Sequence, residues 1–199
     1  MTHPVNDLAL DVIFRDARSQ NGYLDKSVPE VLIRAVHDLA KMGPTSANCS
    51  PARFVFVTTP EGKERLLPFM SEGNREKTRT APWTVIMAYD LRFAEKVPKL
   101  FPHNPGAKDW FANNAEETAI RNGTLQAAYL MIAARALGLD CGPMSGFDMA
   151  GVNREYFESQ EGEMQHWRAN FICTLGHGDS SKLFPRSPRL EFDEACRIY

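Results

Sequence analysis

What this 199-residue chain lacks narrows the field first. No Gly-x-Gly-x-x-Gly and no Gly-x-x-x-x-Gly-Lys-Ser/Thr is present, so a Rossmann fingerprint and a P-loop both lose their main support. The five histidines form no His-x-x-x-His or His-x-His pair, and no metal site is expected. Cys49, Cys141, Cys173 and Cys196 make no Cys-x-x-Cys, and read as small buried hydrophobes of a reducing compartment. The stretch from Gly142 to Gly146 carries Ser145, but Pro143 stands where a nucleophile elbow needs glycine. With 23 basic against 25 acidic residues there is no cationic excess for nucleic acid. The longest apolar run, Ala127 to Ala134, is eight residues and far short of a membrane span. The first residues have neither a basic nor an apolar leader segment, which points to the cytoplasm. No repeat is visible.

What is present is ordinary globular material, 43% hydrophobic and 24% charged. A monomer of this size exposes roughly 9,400 Å² when folded, burying about 70% of the unfolded chain's surface. Apolar spacing predicts helices over about 7–18, 29–42 (with Pro29 in the first turn), 61–70 and 152–159. Short β-branched and aromatic runs predict strands at 53–58, 83–89 and 170–175, with a strand or loop at 141–147. Residues 91–114, interrupted by Pro98, Pro102 and Pro105, read as a helix broken into a loop, a lid or an insertion. The best-defined element is a helix over 115–137. Its second half is apolar nearly all round apart from Arg135, which predicts enclosure in a core or a subunit interface. The irregular alternation implies an α+β fold or a mixed sheet with helices on both sides.

Four polar clusters stand beside predicted element ends: Phe14 to Ser19, Gly43 to Pro51, Gly142 to Asp148, and Lys182 to Leu190. In this order they resemble the nitroreductase family of FMN-dependent oxidoreductases, from about residue 8 to the last residues. Asn48-Cys-Ser-Pro-Ala-Arg-Phe54, the segment 121–140, Gly142 to Asp148 and 182–195 are most similar to the subfamily containing the malonic semialdehyde reductase of the pyrimidine-utilisation (Rut) pathway.

The resemblance implies a nitroreductase-like α+β fold over residues 1–199, with a mixed, mainly antiparallel sheet flanked by helices. It implies a domain-swapped homodimer whose tail, about 180–199, packs on the partner and whose long helix spans the interface. Arg15 and Arg189 match the family's phosphate positions, with Arg186 a further candidate; a guanidinium fork suits a phosphate near two negative charges. The plain alternative for each is a solvated arginine. Arg18 or Ser19, with Ala17 beside them, matches the position that meets the flavin pyrimidine; which of the two faces it stays open. Pro44, Thr45, Ser46 and Asn48 match a loop offered to the partner's flavin, though such residues also merely turn a chain. Here Ser50-Pro51-Ala52 replaces the family's usual Gln-Pro-Trp. Asn74 and Lys77 match a pair at the pyrimidine edge, or else belong to a solvated loop. Pro143, Met144, Ser145 and Gly146 are expected to run under the ring, a main-chain N–H of Ser145 or Gly146 donating to flavin N5.

No side chain is required to act as catalytic acid, base or nucleophile, because the cofactor carries the redox chemistry. The function implied is ping-pong hydride transfer from NADH or NADPH through FMN to a small-molecule acceptor, namely malonic semialdehyde reduced to 3-hydroxypropionate. Arg75, Arg79, His103 and Lys108 are candidates for holding its carboxylate. Broad nitroaromatic or quinone reduction and a non-catalytic FMN-binding module are the competing readings, with a cofactor-free interaction domain a third.

Overall fold

A computed structural model describes residues 3–199. Four strands form one sheet in the order β1-β2-β4-β3: β1 Ala52–Val57, β2 Trp83–Asp90, β3 Asp140–Met144 and β4 Trp167–Gly176. Every ladder is antiparallel, and the only parallel pairing among the described residues is the isolated bridge Ser19–Cys141. The mixed character expected of the sheet is therefore confined to that bridge.

Helices cover both faces, and β2 displays the period-2 logic that divides them. Val85 and Met87 turn toward Ile33, Val36 and Ala40 of the helix Glu30–Ala40 and toward Ala127, Leu130 and Ala134 of the long helix. Ile86 and Ala88 turn the other way, toward Leu66, Val152 and Phe157. A strand covered on both faces cannot alternate apolar with polar, and β2 is buried from Thr84 to Asp90.

Element ends differ from the sequence reading in instructive ways. The first helix is α-helical only over Asp7–Leu10 and continues as a π-turn, Asp11–Arg15, so it stops before Ala17 and Arg18. Pro29 is the residue before the helix Glu30–Ala40 rather than part of its first turn. Pro60–Leu66 is helical and tightens into a 3₁₀ turn, Leu67–Phe69, because Pro68 interrupts it. Glu72–Thr80, where a solvated loop was one reading, is a helix; Glu72, Arg75, Glu76 and Arg79 are exposed, Lys77 is half-buried and Thr78 is buried. Residues 91–114 hold short helical turns at 93–96, 97–100 and 105–111. Phe93, Val97, Ala107 and Phe111 are buried there, so the segment is packed rather than open. The strand expected at 170–175 runs longer at both ends, and 149–158 is a short helix followed by a π-turn. Cys49, Cys141 and Cys173 are buried as expected, but Cys196 is exposed in the tail.

The long helix spans Ala115–Ala136. Its inward face packs in the core, while Ile120, Leu125 and Tyr129 remain exposed. No helix among the described residues is long and apolar enough to cross a membrane.

Candidate functional site

Edge strand β3 organises the candidate site. Pro143 is tolerated there because an edge strand can do without one ladder donor. At its start, Ser19 bridges Cys141 and the Gln20 N–H donates to the Cys141 carbonyl at 2.9 Å. The next residues hold the start of the tail: the Leu24 N–H donates to His177 O at 2.8 Å and the Asp179 N–H to Gly22 O at 3.0 Å. The two ends of the chain are thereby brought side by side.

Between them lies a cavity of about 530 Å³ lined by Arg15, Ala17, Arg18, Ser19, Arg135, Arg186 and Arg189, with Phe14, Asn21, Leu183, Phe184, Pro185 and Ser187. Among the described residues five guanidinium groups line it and no carboxylate does. Arg15 meets Asp7 at 3.0 Å and Asp11 at 2.7 Å, and these acids hold its pKa above the ordinary arginine value. Arg18 donates to Phe184 O at 2.6 Å, and Arg186 donates to Arg15 O at 2.6 Å and Ala17 O at 3.0 Å. Arg189 donates to the carbonyls of Ser187 and Pro188. Each bond uses part of a five-donor fork, leaving N–H groups for an anion.

At the other end of β3, five residues and roughly 16 Å further on, the chain is pinned. Gly146 O accepts from Ser71 N at 3.0 Å and from Asn74 Nδ2 at 2.9 Å, and Met70 bridges Phe147. A Cβ on Gly146 would stand 2.7 Å from Asn74 Nδ2, so glycine is required by close approach. Ser145 is exposed, whereas Met144 is buried among Ile172 and its neighbours, and its side chain does not reach an open surface. Lys77, on the Asn74 helix, is half-buried; desolvation pushes its ammonium pKa down, and no ion pair meets it among the described residues.

The third part, Pro44 to Asn48, lies elsewhere. Ala47, Asn48 and Ser50 have φ of 46°, 49° and 41°, left-handed conformations that cost non-glycine residues about 1–2 kcal/mol each. Buried Asn122 holds this strained turn by accepting from Ser46 N at 2.9 Å, and Thr45 Oγ1 accepts from Ser50 N at 3.1 Å. Asn48 donates to Leu100 O and lines a different cavity with Lys41, Arg53 and Lys99. Within one chain the arginines therefore come together, Asn74 meets Gly146, and the Ser46–Asn48 turn joins neither group.

Arg135 was absent from the sequence-predicted set, though its isolation in an apolar helix half was a signal. Of the acceptor-carboxylate candidates, Arg79 pairs with Glu76, Arg75 donates to Met70 O and His103 packs on Phe101. Lys108 is exposed.

The nitroreductase family model matches residues 15–177. The chain belongs to the nitroreductase family. Among its relatives, a Stenotrophomonas maltophilia protein named "Putative NADH dehydrogenase/NAD(P)H nitroreductase" is 56% identical over 201 residues, covering 100% of both chains. The Ralstonia pickettii protein of that name, HadB, is 52% identical over 196 residues, covering 96% of this chain and 97% of its own. Among solved structures, an Exiguobacterium sibiricum "putative nitroreductase in complex with FMN" superposes with a TM-score of 0.83 at 17% identity, covering 100% of both chains. A Bacillus subtilis "putative nitroreductase" gives 0.84 at 19% identity, covering 98% of this chain and 100% of its own. The fold expected from the sequence is this nitroreductase-like α+β fold. The names of these curated relatives accord with NAD(P)H oxidoreductase chemistry.

Proposed function

We propose that the chain is an FMN-dependent NAD(P)H oxidoreductase that reduces malonic semialdehyde to 3-hydroxypropionate as a homodimer, each chain acting as one domain over about residues 1–199. The observation that carries the flavin part of this reading is the cavity with five arginines and no acid, set beside the β3 edge; the acceptor rests on the sequence resemblance. Its donor chemistry fits a flavin phosphate, which planar guanidinium forks bind bidentately.

When bound, FMN supplies two-electron chemistry, accepting hydride from NAD(P)H and delivering it to the acceptor. Arg15, Arg186 and Arg189 would hold the phosphate, and Arg18 or Ser19 the pyrimidine side. Asn74 and Lys77 would meet the ring edge; a half-buried cation favours electron density gathering nearby. Asn74 fixes the Gly146 peptide, and a main-chain N–H of Ser145 or Gly146 would donate to flavin N5. The carboxylate of the acceptor calls for a cation, and Arg75 and Lys108 have donors to offer it.

A dimer accounts for the Ser46–Asn48 turn, which lies apart from the arginines of its own chain and would serve the partner's flavin. It also accounts for surface. The chain exposes 11,860 Å², about 2,400 Å² more than the ordinary monomer value for its 22.4 kDa. The tail contributes apolar surface to it: Phe184, Leu190, Phe192, Ile198 and Tyr199 are all exposed. An obligate dimer interface buries a comparable or larger area.

The test is anaerobic. The purified protein, reconstituted with FMN, should bleach on addition of NADH or NADPH and recolour with malonic semialdehyde, at a kcat/KM well above that for a nitroaromatic. Bleaching with a preference for the nitroaromatic would leave an oxidoreductase of other specificity. Flavin binding without bleaching would leave a flavin-binding module, and no flavin binding would end the proposal.

A further inference from the structure

The arginine cavity contains one cation to which the resemblance gives no role. Arg135 stands in the last turn of the long helix and is the only charged residue from Ala127 to Ala136. Its side chain lines the cavity beside Arg15, Arg18, Arg186 and Arg189. Nη1 donates to the Ile13 carbonyl at 3.3 Å, within the π-turn that ends at Arg15. Nε is buried with no hydrogen-bond partner, and no carboxylate pairs with this guanidinium among the described residues.

A cation near a helix C-terminus is ordinarily favourable. That effect accounts for an arginine whose head lies in water. It does not account for one whose Nε is desolvated in the wall of a cavity already lined by four like charges. Only Arg15 among those four has acidic partners; Arg18, Arg186 and Arg189 are met by backbone carbonyls. Buried donors without acceptors are costly, and like charges gathered without a counter-ion repel. An anion in the cavity supplies the missing counter-ion and relieves that repulsion.

We infer that Arg135 is a binding residue for the flavin phosphate, gripping it from the long-helix side while the other arginines approach from the two chain ends. The inference rests on the proposed FMN reading of this cavity. It also links the site to the core, since the same guanidinium holds the Ile13 turn. Phosphate engagement and the seating of Arg15 then depend on one side chain.

The test compares FMN with riboflavin, which lacks the phosphate, by fluorescence titration of the full chain freed of flavin. Arg135→Met should weaken FMN binding about tenfold or more, as loss of a charge-assisted bond does. Riboflavin binding should stay within about twofold, and the flavin-free thermal midpoint should change little, because the lost bond to Ile13 O is offset by removal of a repelling charge. Arg135→Lys, which keeps the charge without the fork, should be intermediate. Equal losses for FMN and riboflavin, or a lowered midpoint with an unchanged FMN-to-riboflavin ratio, would make Arg135 a structural residue and overturn the inference. If Arg189→Ala removes the FMN preference while Arg135→Met does not, the inference alone fails. If the wild-type chain binds FMN no better than riboflavin, the reading of the cavity itself fails.

Discussion

The two ends of β3 are built on opposite principles. Near Ser145 the backbone is locked: Gly146 O takes two hydrogen bonds, and a Cβ on Gly146 would stand 2.7 Å from Asn74 Nδ2. Near Cys141 the neighbouring walls come from the chain's exposed ends, and their charges meet few partners. One end is finished by folding, the other, on the proposed reading, by a ligand. Substitutions at the first should therefore appear as lost stability, and at the second as lost affinity.

The sharpest way to break this contrast is Gly146→Ala. A Cβ there would stand 2.7 Å from Asn74 Nδ2 and 3.1 Å from Ser71 Oγ. Overpacking against the side chains that pin the Gly146 carbonyl should cost about 2–3 kcal/mol, read as a lower urea midpoint with unchanged slope. A cost below ~1 kcal/mol would mean the locked end is softer than its contacts imply. Next, Arg189→Ala should weaken FMN binding by roughly 2 kcal/mol while leaving flavin-free stability within about 0.5 kcal/mol. Titration and denaturation together separate the two effects, and a large loss of stability would erase the contrast.

Asn74→Ala should cost about 1 kcal/mol through the Gly146 carbonyl, and Tyr23→Phe about the same through Thr174, which accepts at 2.7 Å. Tyr23 also predicts a pH dependence. Burial raises its pKa well above the usual phenol value, and the same cause takes Tyr89 and Tyr156 to about 12. The folded chain thus keeps protons that the unfolded chain gives up near pH 10. Stability from these groups is complete below that pH and declines above it. Denaturation at pH 9 and 11 checks the sign, and Tyr23→Phe should flatten the decline.

The sequence made the arginines of both chain ends legible because charge clusters beside element boundaries survive without knowledge of packing. The sheet was legible from β-branched runs, and the long helix from its length. The helix Glu72–Thr80 was harder, since a mean composition of charge and Gly73 resembles a loop until buried Thr78 and the Met70–Phe147 bridge anchor it. Met144 matched a motif position, yet the pleat of β3 turns its side chain into the core. The strain at Ala47 and Ser50 leaves no trace in residue type, because neither is a residue that favours positive φ. Arg135 entered the cavity through helix phase, which depends on where the long helix docks.

The pairing of β2 with β4 also governs how the chain reaches its native state. Val85 lies opposite Cys173, 88 positions later, so the central ladder cannot close until the long helix and everything around it have been drawn into place. The β1–β2 pair joins nearer segments and is free to assemble first. Refolding should accordingly run on the millisecond-to-second scale of non-local topologies rather than the microseconds of helical bundles. A nascent chain released before residue 176 would present the unpaired side of β2 to its neighbours.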